Sequence, residues 1–95
     1  MNLTFDIQHN SINGEIKLLV NNVNAGKVSF KFLQNSVIEI DHTEVFSSFA
    51  GLGYGKILIE EAVGFARRNK LKILPTCEFA KKALSRQEYF DDVVE

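Results

Sequence analysis

The chain has 95 residues, of which 45% are hydrophobic, and 11 basic against 12 acidic residues leave a net charge of −1. This size predicts one domain spanning residues 1–95, and the near-neutral charge argues against binding to nucleic acid or to a membrane surface. A single cysteine excludes an internal disulfide, and the lack of a secretory signal or of a membrane-length apolar run predicts a soluble, cytoplasmic protein.

The first half of the chain predicts an antiparallel β-meander with one buried face. Apolar residues alternate with polar ones in four segments: 3–7, 16–20, 28–32 and 37–45. The segments that predict turns between them are rich in Asn, Gly and Ser: Asn13-Gly14, 21–26 and 34–36.

The second half of the chain has the period of a helix. Apolar residues recur at helical spacing over about 53–69, and a short apolar run at 71–74 predicts a strand parallel to the fourth strand. These segments and the fourth strand would form one βαβ unit. Pro75 should end its strand or lie on an edge. A shorter helix is expected over about 76–85, and 88–94 predicts a last helical turn.

Three glycines at alternate positions, Gly51, Gly53 and Gly55, directly precede the long predicted helix. Glycine allows positive φ and lets the backbone approach a ligand closely. The start of a helix offers unpaired N–H groups and the positive end of a dipole. The segment therefore predicts a site for a phosphate or pyrophosphate group.

Two nucleotide-binding patterns fit this segment poorly. A P-loop requires G-x-x-x-x-G-K-[ST], but Ala50 and Ile57 stand at two of its fixed positions. A dinucleotide fingerprint requires G-x-G-x-x-G, but its third position is Lys56. The acidic residue that it needs would be Glu78, after which too little chain remains for a doubly wound sheet.

The segment is also similar to the acyl-CoA-binding loop of the Gcn5-related N-acetyltransferases (GNAT), Q/R-x-x-G-x-G/A, which lies between a strand and a long helix. Ala50 stands at the Q/R position, and Gly53 and Gly55 stand at the two small positions. Further along, Cys77 stands where the family commonly has an Asn, and Ala80 where it has an Ala.

More specifically, the chain resembles a small, truncated GNAT subfamily that has a Pro-x-Cys segment after the CoA-binding helix. The resemblance is strongest in four blocks: 40–45, 51–55, 66–67 and 74–80. It implies a minimal GNAT-like α/β (α+β) fold, in which an antiparallel meander runs into one βαβ unit and a short C-terminal helix. Two features depart from the family: Ala50 lacks the side chain of Gln or Arg, and the N-terminal portion that shapes the acceptor site in full-length enzymes is missing.

The resemblance implies a protein that binds acetyl-CoA and transfers its acetyl group to an unidentified amine. The partners would be the acyl-CoA and the amine, with the protein a monomer or a weak homodimer and with no metal. A non-catalytic CoA-binding or protein-interaction module is the alternative. The candidate cofactor-binding residues are Thr43, Val45, Ala50, Gly51, Leu52, Gly53, Tyr54, Gly55, Lys56, Cys77, Ala80 and Lys81.

Cys77 is the first candidate catalytic residue. It is expected near a helix start, a position that favours the nucleophilic thiolate form of cysteine. A thiolate beside a bound thioester could accept the acyl group and pass it on. Two alternatives stay open: a small buried apolar residue, or a replacement for the family's Asn that contacts the pantetheine arm.

His42 is the second candidate catalytic residue, since a neutral imidazole can take a proton from an attacking amine near pH 7 or assist Cys77. Its alternative is a histidine that is hydrogen-bonded in the sheet. Along a regular strand, His42 and Glu44 share a face while Asp41 faces the other way, which makes Glu44 a reserve base. His9 is expected on the surface, without a companion.

Overall fold

The computed structural model describes residues 2–85 and 87–95. Its elements in chain order are β1 Leu3–His9, β2 Asn13–Val20, β3 Val23–Leu33, β4 Val37–Val45, a 3-10 turn at Ser47–Phe49, α1 Tyr54–Arg68, β5 Lys72–Pro75, α2 Glu78–Ala83 and α3 Gln87–Phe90.

The five strands form one sheet in the order β1-β2-β3-β4-β5. Neighbouring strands from β1 to β4 pair antiparallel, and β5 pairs parallel with β4. The predicted meander that runs into a single βαβ unit is therefore confirmed. Within the described residues, no helix is both long and apolar enough to cross a bilayer.

Helix α1 packs against one face of the sheet, over β2, β3 and β4. Its predicted apolar stripe is confirmed, since Leu58, Ala62 and Ala66 are completely buried. The opposing sheet residues are apolar at every second position: Ile16, Leu18, Val28, Phe30, Ile38 and Ile40. This interface is the hydrophobic core. Apolar residues repeat about every 3.6 residues in the helix and every 2 in the strands, so each element has one apolar face, and these faces meet.

The first predicted turn is wrong in its position. Asn13 and Gly14 begin β2, and the loop lies at 10–12, where Asn10 Oδ1 accepts the backbone N–H groups of Ile12 at 2.7 Å and Asn13 at 2.9 Å. Gly14 serves packing instead of a turn, because a Cβ there would stand 2.6 Å from the ring of Phe30.

The second predicted turn is shorter than the 21–26 segment. Only Asn21 and Asn22 form it, with φ of 51° and 69°, and Val23 already belongs to β3. Asparagine tolerates this left-handed conformation, which suits a two-residue hairpin. The third turn, at 34–36, is confirmed, with positive φ at Asn35 and Ser36.

The end of the chain closes one edge of the sheet, which the predicted last turn alone did not indicate. After α3, Ile73 of β5 donates its N–H to the Val93 carbonyl at 2.6 Å and accepts the N–H of Glu95 at 2.8 Å. Residues 93–95 therefore occupy the side of β5 that faces away from β4.

An ion pair holds this C-terminal segment against α1. Arg67 Nε and Nη2 donate to the two carboxylate oxygens of Asp92, at 2.9 Å each, and Nη2 also donates to the Tyr89 carbonyl at 2.7 Å. The hydrogen bond from Arg67 holds the pKa of the Asp92 carboxyl below its ordinary value, and the same bond raises the pKa of Arg67.

We expect Asp92→Asn to lower the melting temperature slightly at neutral pH, because exposed ion pairs contribute little. Since the pKa of Asp92 is lowered on folding, the contribution is complete above its ordinary value of 3.8 and is lost as the pH falls through the lowered value. Thermal unfolding followed by circular dichroism over a pH series checks this, with Asp91→Asn as the control for a neighbouring exposed charge. A difference between Asp92→Asn and wild type that persists after Asp92 is protonated would contradict it.

Candidate functional site

The glycine loop before α1 adopts the conformation that glycine was expected to provide. Gly51 and Gly53 have φ of 78° and 79°, and Gly53 is the N-cap of α1. A Cβ at either position would lie more than 4 Å from every described residue other than its two chain neighbours, so the space beside the loop is open. No side chain caps α1, and the first-turn amides of Gly55 and Lys56 have no intrahelical carbonyl to bond.

Gly55 has a different role from the other two glycines. It is buried, and a Cβ on it would stand 2.7 Å from Cζ of Phe79 in α2. The absence of a side chain thus lets the Phe79 ring sit directly on the first turn of α1. This contact links the glycine loop to α2. Phe79 lies in the 74–80 block of the family resemblance, but the sequence assigned it no role.

Strands β4 and β5 separate after a short parallel pairing. The register ends at Ile40 opposite Pro75, and the Ile40 carbonyl then accepts the N–H groups of both Thr76 at 2.9 Å and Cys77 at 3.3 Å. Beyond Ile40, no strand in the described part of the chain pairs with β4 on that side. A gap therefore opens beside the last five residues of β4.

The backbone groups of Thr43 and Val45 face this gap. Phe46 donates its N–H to the Ala25 carbonyl, and a Cβ on Gly26 would collide with the Glu44 carbonyl oxygen. Residues 44 and 46 are thus bonded toward β3, and in a strand the intervening residues point their N–H and C=O groups the other way. Main-chain donors and acceptors of β4 are available along the gap.

A β-bulge in β4 changes which side chains share a face. Ser29 pairs with His42 and Phe30 pairs with Ile40, so Asp41 is an extra residue in the ladder. The bulge turns Thr43 to the helix-covered face, opposite the buried Val28. The sequence carries a signal for it, since the apolar positions change from even numbers, Ile38 and Ile40, to the odd number of Val45.

Cys77 lies on the helix-covered side of the gap. It is the N-cap of α2, its Sγ accepts the N–H of Ala80 at 3.4 Å, and Thr43 Oγ1 lies 3.5 Å from Sγ. The thiol is half-buried, and Ala80 behind it is completely buried. The expected helix start at 76 or 77 is thus close to the observed one, and Cys77, Thr43 and Ala80 come together as one group.

His42 and Glu44 lie on the opposite face of the sheet from the Cys77 thiol. Their side chains are exposed, 3.7 Å apart, and opposite Ser29 and Lys27 of β3. The expectation that they share a face is met by this geometry, but His42 is not beside Cys77. Asp41 also departs from the regular alternation, because the bulge places its carboxylate 3.5 Å from Lys31 on the outer, helix-free face.

The remaining candidate cofactor-binding residues lie around the glycine loop and differ in how far their side chains are exposed to solvent. Tyr54 is buried, with its ring centroid 6.2 Å from that of Phe49, whereas Ala50 and Leu52 are exposed. Lys56 lines a hollow of about 230 Å³ between α1 and α2, together with Phe79, Lys82 and Ala83. Lys81 is 3.5 Å from Glu78 on exposed surface.

His9 is not the isolated surface residue that the sequence suggested. Although exposed at the end of β1, its ring makes edge contacts with Phe32 and Phe65, at centroid distances of 5.5 and 5.6 Å. On the outer face of the sheet, a hollow of about 500 Å³ is lined by residues that include Glu15, Ser29 and Asp41. Among residues 2–85 and 87–95, no three His, Cys, Asp or Glu side chains form a group suited to a metal ion.

Comparison with known proteins agrees with this architecture. A family model described as GCN5-related N-acetyl-transferase matches residues 15–93. A GCN5-like protein from Staphylococcus aureus, solved by NMR, is 33% identical, and the match covers 95% of this chain and 87% of that one with a TM-score of 0.70. The chain therefore belongs to the GCN5-related N-acetyltransferase family, and the minimal form of the fold implied by the sequence is confirmed.

More distant structures share the fold. A Bacillus anthracis protein described as a streptothricin acetyltransferase, solved with acetyl coenzyme A, is 24% identical over 68% of this chain and 38% of its own, with a TM-score of 0.58. The ribosomal-protein-alanine N-acetyltransferase of Brucella melitensis is 18% identical over 92% of this chain and 67% of its own, with a TM-score of 0.65. No curated protein matched.

The different roles of Gly53 and Gly55 can be tested by measuring how an alanine at each position changes the free energy of unfolding. We expect Gly53→Ala to destabilise the protein by about 1–2 kcal/mol, because an L side chain at left-handed φ is strained even in open space. Gly55→Ala should cost less, since its φ is helical, alanine gains up to about 1 kcal/mol of helix propensity, and the half-exposed Phe79 ring can turn away. Urea unfolding measures both changes, and a larger loss for Gly55→Ala would contradict the assignment.

Proposed function

We propose that this protein binds acetyl-CoA and transfers its acetyl group to an amine. The observation that carries the proposal is the meeting of three elements at one end of the sheet. Phe79 joins α2 to the glycine loop, Thr43 joins the cap of α2 to β4, and the gap between β4 and β5 lies between them.

The glycine loop fits the pyrophosphate of the coenzyme. Gly51 and Gly53 keep the approach clear of side chains, and the first turn of α1 presents amides at the positive end of the helix dipole. Lys56, exposed on that turn, would add a positive charge. Ala50 contributes no side-chain contact, and its N–H is bonded to the Ser47 carbonyl at 3.2 Å, so binding would depend on the amides that follow it.

The gap fits the pantetheine arm, which carries amide groups of its own. The backbone groups of Thr43 and Val45 would pair with those amides as another strand would. This arrangement would lead the thioester toward Cys77, whose Sγ already touches Thr43. A strand amide beside the thioester would polarise its carbonyl oxygen.

His42 would act from the other face of the sheet. The outer face near β4 carries no helix in the described structure and is lined by polar side chains, so an amine could approach the gap from that side. As the amine nitrogen attacks the carbonyl carbon and the carbon–sulfur bond breaks, His42 would take the amine proton, with Glu44 3.7 Å from its imidazole. CoA leaves as the thiolate and then gains a proton, which the protonated imidazole of His42 would supply, so that the imidazole is neutral again.

Cys77 offers a second route from the covered face. Its Sγ would attack the carbonyl carbon, release CoA and hold the acetyl group as a thioester, and the amine would then take the acetyl group and restore the thiol. The two routes differ in whether acetyl is ever bound to the protein. Since His42 and Cys77 lie on opposite faces of the sheet, His42 would act on the amine and Cys77 on the thioester, and neither would activate the other.

The proposal that the acetyl acceptor is an amine is supported by the more distant structural neighbours. They include proteins described as acetyltransferases of streptothricin and of ribosomal-protein alanine, and an aminoglycoside acetyltransferase solved with sisomicin. This chain spans 38 to 67% of those proteins, so the particular amine is left to experiment.

Calorimetric titration with acetyl-CoA is expected to show saturable binding. We expect Gly53→Ala to weaken it about tenfold, equal to about 1.4 kcal/mol, because the loop amides would be displaced. Gly64→Ala is the control: Gly64 lies within α1, the helix that Gly53 caps, and a Cβ there meets only the end of the Arg68 side chain, at 3.1 Å. Absence of heat at millimolar ligand would overturn the proposal.

Incubation with isotopically labelled acetyl-CoA separates the two routes. If Cys77 carries the acetyl group, intact-protein mass spectrometry will show one added acetyl group, which Cys77→Ala abolishes. If transfer is direct, Cys77→Ala will keep its rate toward a model amine, whereas His42→Gln will lower that rate. Binding without turnover in wild type, for any amine offered, would favour the non-catalytic CoA-binding module instead.

A further inference from the structure

The sheet has one closed edge and one open edge. Pro75 and the C-terminal residues 93–95 block the β5 edge, as described above. At the other edge, β1 pairs only with β2, and no element of the described chain lies along its outer side. An unpaired strand of this kind is a template for another strand unless charge, proline or a bulge protects it.

The outward-facing groups of β1 can be identified from its ends. Asn21 donates its N–H to the Asn2 carbonyl at 2.8 Å, and Asn10 donates to the Asn13 carbonyl at 3.0 Å. Even-numbered residues are thus bonded toward β2, and the N–H and C=O groups of Leu3, Phe5, Ile7 and His9 point outward. The strand contains no Pro, Lys or Arg, and its pairing with β2 has no bulge.

The β1 edge also carries apolar side chains that are partly exposed. Leu3 and Phe5 lie on the face that α1 covers elsewhere, opposite the core residues Val20 and Leu18 of β2. They lie beyond the helix, however, and remain 37% and 36% exposed. An apolar strip therefore runs along an edge whose backbone hydrogen bonds are also unfilled.

We propose that a second copy of this chain covers the edge, with the two β1 strands antiparallel about a two-fold axis at Phe5. In this register Phe5 faces Phe5 of the partner subunit, and Leu3 faces Ile7 of the partner subunit. Each of the three pairs exchanges two main-chain hydrogen bonds, because all these residues present outward groups. On the outer face, Thr4 and Asp6 would lie opposite each other.

Three neighbouring registers are worse. An axis at Thr4 would form only two apolar pairs among the described residues, each between Leu3 and Phe5, against three for the axis at Phe5. A two-fold axis at Asp6 would set two carboxylates directly opposite in a closely spaced pair, which is destabilising. An axis at Ile7 would leave Leu3 without an apolar partner and would place Phe5 against His9, whose ring already contacts Phe32 and Phe65. The sequence of β1 thus favours one self-complementary pairing, which places five strands of each chain in one continuous sheet.

The dimer leaves the candidate acetyl-CoA site free, because the gap beside β4 lies at the other end of the strand order. The inference therefore does not depend on the proposed function, and either can fail alone.

Sedimentation equilibrium tests the association directly. The average mass is expected to rise with protein concentration toward twice the 10.7 kDa of one chain. Phe5→Lys and Phe5→Glu should each be monomeric because like charges would face each other at the axis, and an equal mixture of the two should recover the dimer mass. Val23→Lys, at an exposed apolar residue away from this edge, should behave as wild type.

Disulfide cross-linking tests the register in a Cys77→Ala background. A hydrogen-bonded pair places its Cα atoms about 5.5 Å apart, within reach of a disulfide. Phe5→Cys should therefore form a cross-linked dimer on oxidation, whereas Asp6→Cys and Ile7→Cys should not. Circular dichroism establishes that each variant is folded. A wild-type chain that is monomeric at every concentration, or a dimer that Phe5→Lys leaves intact, would overturn the proposal.

Discussion

The Ile40 carbonyl is the point on which the candidate site depends. Up to this residue β4 and β5 are ordinary parallel neighbours, and at this residue one acceptor takes the N–H groups of both Thr76 and Cys77. Because two successive N–H groups bond to one carbonyl, the chain turns away from β4, and α2 begins where the fifth strand would have continued. The free backbone of β4 and the position of the Cys77 thiol are both results of this turn.

The bulge at Asp41 acts together with that separation. Without it, Thr43 and His42 would exchange faces, and the thiol of Cys77 would meet an imidazole instead of a hydroxyl group. With it, β4 presents a small polar side chain to the covered side and a titratable pair to the open side. One extra residue in a strand therefore divides the chemistry of the site between two faces of a sheet.

Much of this fold could be predicted from periodicity. The spacing of apolar residues along the chain indicates which face of each element is buried. This was enough to predict the alternating strands of the first half and the buried stripe of Leu58, Ala62 and Ala66. The loop conformation at Gly51 and Gly53 was predictable for the same kind of reason, since few other residues adopt that backbone conformation readily.

What could not be predicted depends on contacts between distant segments. The dipeptide Asn13-Gly14 has the composition of a hairpin turn, but Gly14 is required by the Phe30 ring across the strand pair. Two other contacts also join positions far apart in the sequence: the Phe79 ring packs on Gly55, and residues 93–95 pair with β5. The relation of His42 to Cys77 changed because a bulge reverses every later side chain, although the change of phase from Ile40 to Val45 does record it.

The contact between Gly55 and Phe79 has a mechanical consequence. It packs the first turn of α1 against the start of α2, so the loop that would hold the phosphates and the cap that holds the thiol lie near each other before any ligand binds. A long, flexible ligand that bridges them would meet a site whose two ends are already spaced, and less of its own conformational freedom would oppose binding.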